Sequence, residues 1–292
     1  MSFLDRIAEC NTHDLSRFRP FVVAGARVGW IRHALARRLA AFCDIFDVSE
    51  DAVVLAPALG DFRARSEGVD RVIRRLVAEG IVTGVREEPY PVTTAFSARP
   101  LLQMERAAIP HFGVRAFGIH MNGYVRRADG LHMWIARRAS DKPTYPGMLD
   151  NTVAGGQPIG LGLFENLVKE CEEEAGIPAE LARLAVAVGA ITYCAEAPDG
   201  LKPDVQFCYD LELPDDFTPV NRDGEIEEFF LWPIDRVAAV VRDTRQFKFN
   251  CNLVIIDFLV RHGVIAPDHP DYVDIAEGLR AGFGPLGRTR HG

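Results

Sequence analysis

The sequence predicts an α/β protein built from two units, and three observations lead there. Strand-like apolar runs alternate with amphipathic helical stretches along most of the chain. Its 292 residues exceed a typical single domain, and Ile109-Pro110 ends a helical stretch, because the residue before a proline is held out of the helical region. The third is one stretch, Gly155 to Ile177 (GGQPIGLGLFENLVKECEEEAGI), in which a glycine-rich loop runs into a helix whose charges are wrong for stability alone.

Composition narrows the class. Apolar residues make up 48% and charged residues 25%, ordinary for a globular protein that buries a sizeable core. A net charge of -8 argues against a surface that coats nucleic acid. No apolar run reaches the roughly 18 residues of a membrane helix, and Met1-Ser2-Phe3-Leu4-Asp5-Arg6 starts no signal peptide. Cys10, Cys43, Cys171, Cys194, Cys208 and Cys251 show no C-x-x-C pairing and read as reduced core thiols of a cytoplasmic protein.

Residues 1–110 form the first unit. Leu4 to Cys10, Val28 to Phe42 and Arg65 to Glu79 have helical periodicity, the last closed by Gly80. Asp47 to Leu55 reads as a loop and a short strand, Ile81 to Val85 as another strand, and Leu101 to Ala108 as a short helix. Arg71, Arg74 and Arg75 make a basic helix face, either solvated or able to recruit an anion. No motif here carries recognisable chemistry.

Residues 111–265 form the second unit. Val114 to Arg126 and Leu131 to Ala139 are strand-like runs joined by the hairpin signal Ala128-Asp129-Gly130. The second run mixes apolar residues at both parities, which suggests a strand partly buried on both faces. Leu184 to Tyr193 and Val205 to Leu213 are further strands; Asp235 to Val241 and Leu253 to Arg261 are helices. Residues 266–292 hold a short helix around Tyr272 to Leu279 and a Gly- and Arg-rich end expected to be mobile.

In the central stretch, Phe164, Leu167, Val168, Cys171 and Ala175 recur at spacings of three and four. Gly176 stands where a helix end wants a left-handed residue, and Pro178 bars continuation. Glu170, Glu173 and Glu174 then share one face. Acids in the last turn oppose the helix dipole by roughly 0.3–1 kcal/mol each. A divalent cation would reverse the sign of that cost, since hard cations seek carboxylate oxygens. An acidic face turned to solvent is the alternative, and spacing leaves both open.

This stretch resembles the Nudix box, whose pattern is G, five residues, E, seven residues, then R-E-U-x-E-E-x-G-U with U apolar. Gly155 takes the first position, and the run Lys169 to Ile177 closes the pattern. Two positions depart: Leu161 stands for the early Glu and Lys169 for the Arg, with Glu165 one turn away as a substitute partner for Lys169. The resemblance implies a mixed sheet between helices, an α/β Nudix fold carrying an N-terminal α+β extension. It also implies Mg²⁺ or Mn²⁺, with Glu173, Glu174 and a carbonyl of the Gly155 loop as ligands, and Glu170 holding a second metal or deprotonating water. The segment from Gly224 to Pro233 is similar to one that commonly supplies a further carboxylate in that family; Glu225 is preferred and Glu228 held in reserve.

A second motif is more specific. Trp134 to Asn151 (WIARRASDKPTYPGMLDN) resembles a Nudix subgroup found alone or fused to thiamin pyrophosphokinase, with Ala139 as the departure. Phe112-Gly113-Val114, His120 to Val125 and Phe247 to Cys251 fit the same subgroup. Arg137, Arg138 and Lys142 beside a carboxylate-bound metal would suit a pyrophosphate, or form a surface basic patch. Trp134 either stacks on a flat heterocycle or fills the core. The subgroup implies hydrolysis of thiamin diphosphate or damaged forms of it to the monophosphate, a small-molecule partner with no nucleic acid or membrane. The rivals are hydrolysis of nucleoside diphosphate derivatives and a non-catalytic binding module, the latter suggested by Leu161 and Lys169.

Overall fold

The computed structural model describes residues 1–282, so the end expected to be mobile lies largely outside the described residues. After α1 (Phe3–Glu9), four strands make the first sheet: β1 (Phe18–Val23), β2 (Ala26–Arg32), β3 (Phe46–Val48) and β4 (Val53–Leu55), in the order β2-β1-β4-β3. Helices α2 (His33–Leu39) and α3 (Phe62–Ala78) complete a core with Phe21, Phe46, Val69 and Leu76. The first third of the helix expected from Val28 to Phe42 is therefore strand. Ala24 and Gly25 take positive φ and turn the chain back, so Phe18–Val23 pairs with Ala26–Arg32 before the helix starts.

Two further expectations change. Ile81 to Val85 is not a strand. Leu101 to Ala108 is half strand: β5 (Pro89–Val92) pairs with β6 (Leu102–Glu105), and a 3-10 turn at Arg106–Ala108 follows. Pro110 does not stop a helix but opens one, α4 (Ile109–Phe112), where its missing N–H has no bond to lose.

The second sheet is mixed. It is built from β7 (Phe117–Arg127), β8 (Gly130–Arg138), β9 (Leu149–Asp150), β10 (Val153–Gly156) and, after helices α5 (Leu163–Ala175) and α6 (Ala179–Ala182), β11 (Val186–Thr192). The small hairpin β12 (Ala195–Ala197) and β13 (Gly200–Lys202) leads to β14 (Val205–Glu212) and β15 (Ile226–Pro233), the last in a segment the sequence left unassigned. The order is β11-β14-β7-β8-β15, with β10 on β7 and β9 on β8. β14 runs parallel to β7, and the other pairs are antiparallel.

Both faces are covered, which is why β7 and β8 are apolar at both parities. On one face Ile119, Met121 and Trp134 pack under Leu167 and Cys171 of α5. On the other, Met133, Ile135 and Leu149 pack against α7 (Ile234–Asp243) and α8 (Cys251–Arg261), with α9 (Tyr272–Gly278) beyond. Phe3 and Ile7 of α1 and Cys10 just after it belong to this second cluster, so α1 packs with α8 and α9.

Candidate active site

The site grows out of the β10–α5 loop. Gly176, at φ 62°, ends α5 as the sequence requires. Glu174 is 5% exposed, and its Oε2 accepts the Ala154 N–H at 2.8 Å. Burial lifts its carboxyl well above the usual range despite that bond, and the Glu170, Asp150 and Glu225 charges push the same way. Burial also raises Glu170, against the pull of Lys169 and with a further push from Glu173 and Glu225. Glu173 stands at the rim, bonded to Lys169 Nζ at 2.6 Å. The three carboxylates thus converge, and a fourth joins them: Glu225 lines the same cleft, of about 1180 Å³, where it pairs with Lys142. Burial raises Glu225, but Lys142 outweighs it and the carboxyl ends below its ordinary value. Glu228 is exposed on β15 and lies outside the cleft.

The glycines bring loop and helix together. A Cβ on Gly155 would lie 2.6 Å from Glu170 Cδ. The register refines which carbonyl faces the carboxylates. Gln157 N–H donates to the Phe117 carbonyl, so the alternate pair Gly155–Ile119 is also mutually hydrogen-bonded and the Gly155 carbonyl points into β7. Ala154 lies one residue out of phase, and its backbone faces α5. Within the Gly155 loop it is therefore the Ala154 backbone, not that of Gly155, that is turned toward the carboxylates of α5.

The two departures from the box are compensated locally. Asn166, fully buried, donates through Nδ2 to the Gly156 carbonyl at 2.8 Å and to Gln157 Oε1 at 3.1 Å, and Gln157 donates in turn to the Leu161 carbonyl. An amide pair therefore holds the loop where the family pattern has an ion pair. Nothing in the sequence marks Asn166 and Gln157 for this role. Lys169 bonds Glu170 and Glu173, whereas Glu165 accepts the Gly162 N–H at the start of α5; the suggested Glu165–Lys169 pair is not the one formed.

Of the phosphate-binding candidates, Arg138 and Lys142 line the cleft. Arg137 does not: its guanidinium lies over the Phe230 ring, 5.1 Å from the centroid, because odd-numbered positions of β8 face α7 and α8. Trp134 is 7% exposed under α5, so it is a core residue and not a stacking platform. Sequence reasoning also gave no role to Asp150. Its carboxylate, 2% exposed, pairs with Arg138 at 2.9 Å and Lys248 at 3.6 Å and accepts the Cys251 thiol at 2.7 Å. A buried relay continues through Asn151 to His120 Nδ1 at 2.8 Å. Burial and Lys248 hold the His120 imidazole down to about 4, so it is neutral at physiological pH.

The cleft gathers mutually repelling carboxylates, and beside them lysine and arginine, around a space that suits a hard cation and a phosphate chain. That is the chemistry of a pyrophosphohydrolase working with a divalent metal. Sequence comparison places the chain within that class: it belongs to the Nudix hydrolase family. It is 46% identical over 289 residues to Nudix hydrolase 20, chloroplastic, of Arabidopsis thaliana, covering 95% of this chain and 77% of that protein. To Nudix hydrolase 24, chloroplastic, of the same plant it is 47% identical over 284 residues, covering 96% and 78%. Residues 2–116 match a family described as a domain of unknown function, DUF4743. Among solved structures, the Nudix domain of Shewanella oneidensis NrtR, complexed with ADP ribose, aligns at TM-score 0.41 and 13% identity over 52% of this chain and 90% of that one. Both plant relatives are chloroplastic by name, which overturns the cytoplasmic assignment drawn from the cysteines. Reduced thiols do not distinguish one reducing compartment from another.

Proposed function

We propose that this Nudix hydrolase cleaves the diphosphate of thiamin diphosphate, or of a damaged form of it, to leave the monophosphate. The observation that carries the reading is the Trp134–Asn151 motif, which resembles the thiamin pyrophosphokinase-associated subgroup and lends Arg138, Lys142 and Tyr145 to the cleft. Support also comes from the far end of the cleft, where Asp204, Tyr193, Phe249 and Phe117 offer an acidic and aromatic lining to a cationic ring. Burial raises the Asp204 carboxyl to about 6, although Tyr193 donates to it at 3.0 Å and Lys202 is near. In this proposal residues 1–110 are the extension, 111–265 the catalytic domain and 266–292 a C-terminal segment, with α1 packed across onto α8.

Nudix hydrolases generally use a divalent metal. The donor set fits one: carboxylates whose protonation is favoured by burial, and further by mutual repulsion, are the groups that a hard cation stabilises in charged form. Glu170, Glu173, Glu174 and the Ala154 carbonyl would hold Mg²⁺ or Mn²⁺, with Glu225 completing the set. The cation would acidify a bound water and offset charge on phosphate oxygens. The chain's own part is orientation. Ala154 N–H fixes the Glu174 carboxylate, and Asp150 fixes the Arg138 fork toward the cleft. Where Glu170 does not hold a cation, its carboxylate would take a proton from the attacking water.

The test is diphosphate cleavage with Mg²⁺ or Mn²⁺, read as inorganic phosphate from thiamin diphosphate and its oxidised analogues and as AMP from ADP-ribose and NADH, wild type beside Glu174→Gln. Metal-dependent turnover of a thiamin compound, lost in the variant, supports the proposal. Turnover of the nucleotides alone overturns the thiamin assignment and leaves the Nudix chemistry standing.

A further inference from the structure

The cleft is not made by the Nudix sheet alone. One wall comes from the extension, and it is locked to the catalytic loop. Ile159 N–H donates to the Pro89 carbonyl at 3.1 Å. The Tyr90 hydroxyl lies so close to Gly156 that a Cβ there would collide with it, and that Cβ would stand 3.3 Å from Arg106 Cζ. The Arg106 guanidinium therefore lies beside the loop residue next to Gly155, which itself touches Glu170.

The charges of the cleft show why this matters. Arg138 and Lys248 are committed to Asp150, Lys142 to Glu225, Lys169 to Glu170 and Glu173, and Lys202 to Asp199. Arg106 is different. It bonds Glu88 through Nη1 at 2.7 Å and rests 5.5 Å from the Tyr90 ring centroid, an arrangement that orients the guanidinium and leaves the rest of its fork for another acceptor. Arg86, exposed at the rim, forms no ion pair among the described residues. A diphosphate brought to the carboxylate helix needs cations on its outer oxygens; among the described residues Arg106, paired with Glu88 through Nη1, keeps its remaining N–H groups without a bonded partner, and Arg86 forms no ion pair.

We propose that the extension is part of the active site: Arg106, oriented by Glu88 and Tyr90, binds phosphate oxygens of the diphosphate substrate opposite the carboxylate helix, with Arg86 as a second donor at the rim. This rests on the diphosphate chemistry but not on the thiamin assignment. It also gives residues 1–110 a role beyond packing.

The experiment uses the full chain and inorganic pyrophosphate as the probe, alongside whichever diphosphate the wild type turns over. Arg106→Ala raises KM and the pyrophosphate inhibition constant together by about 10- to 100-fold, the range for loss of charge-assisted hydrogen bonds. Arg106→Lys falls between, and Mn²⁺ affinity measured by calorimetry stays within about twofold of wild type because the carboxylates are untouched. Arg86→Ala, on an exposed loop and safe for folding, raises both constants severalfold. Unchanged KM and inhibition constants in both alanine variants overturn the proposal. So does an Arg106→Ala defect that appears equally in Mn²⁺ affinity and thermal midpoint, since that is the signature of a structural tether. Failure of the thiamin assignment shows separately, as a wild type that ignores thiamin compounds.

Discussion

Replacing Asp150 by Asn asks whether the cations of the cleft are held by this buried carboxylate or merely sit near it. Burial alone would raise the Asp150 carboxyl, but Lys248, His120, Arg138 and the Cys251 thiol outweigh it and bring it from 3.8 to about 2. At ~1.36 kcal/mol per pH unit, that difference is linked to about 2–3 kcal/mol of folding free energy at neutral pH. Because the folded value is the lower one, the contribution is fully present above pH 3.8 and is lost as pH falls through about 2. Asparagine keeps the volume but leaves Arg138 and Lys248 without their shared anion, which puts the loss at ~3–5 kcal/mol. For a chain of 292 residues that is a fall of roughly 5–8 °C in thermal midpoint. The assay is thermal and urea unfolding of Asp150→Asn beside wild type at pH 7 and pH 5, where the difference should be equal, and at pH 3, where it should shrink. Midpoints that agree within about 1 °C at pH 7 would refute the reasoning, and Arg138 would then be oriented by the carbonyls of Thr144 and Tyr145 that it also reaches.

Other outcomes follow from the same geometry. Glu174→Gln is expected to lower metal-dependent hydrolysis by at least ~100-fold, and calorimetry should show weakened Mn²⁺ binding with the fold intact. Raised Glu170 and Glu174 carboxyls mean that cation binding displaces protons, so affinity should climb with pH above 4.5; titrations in buffers of different ionisation enthalpy should reveal proton release, and none would contradict it. His120 is held neutral with a value near 4, so its ring resonances should not titrate between pH 5.5 and 8. Since the unfolded imidazole protonates first as pH drops below 6.5, His120 lowers stability progressively down to pH 4, which urea titrations of wild type and His120→Gln would separate. Gly156→Ala should cost ~1–3 kcal/mol through its collision with Tyr90, and Tyr90→Phe should recover part of that loss in a double-mutant cycle.

The sequence made α5 legible for two independent reasons, its apolar spacing and a box that retains all three glutamates. The strands β7, β8, β11 and β14 were legible too, since long apolar runs with turn residues at their ends leave few alternatives. Errors fell where a turn depends on unusual backbone. Nothing in the letters Ala24-Gly25 outweighs the helical periodicity after Val28, yet that turn makes Ala26–Arg32 a strand. The site was legible in its carboxylates and only partly in its cations. Arg137 and Arg138 are adjacent letters, but strand parity sends one to Phe230 and the other to Asp150. The parts contributed by Tyr90, Arg106, Asn166 and Gln157 arise from approaches that residue type does not announce.

The placement of α1 bears on the order in which the molecule can be completed. Arg6 donates to the Thr244 carbonyl at a separation of 238 residues, and Phe3 and Ile7 share an apolar cluster with α8 and α9. On the ribosome this helix emerges well before α8 and α9, its partners. In the interval its apolar side is bare, and the contact is closed only by looping out the whole extension and most of the catalytic sheet. Growth of the chain therefore cannot finish one unit and then the other. Final consolidation of the hydrolase waits on a seam between early and late segments, behind the sheet from the carboxylates of the cleft.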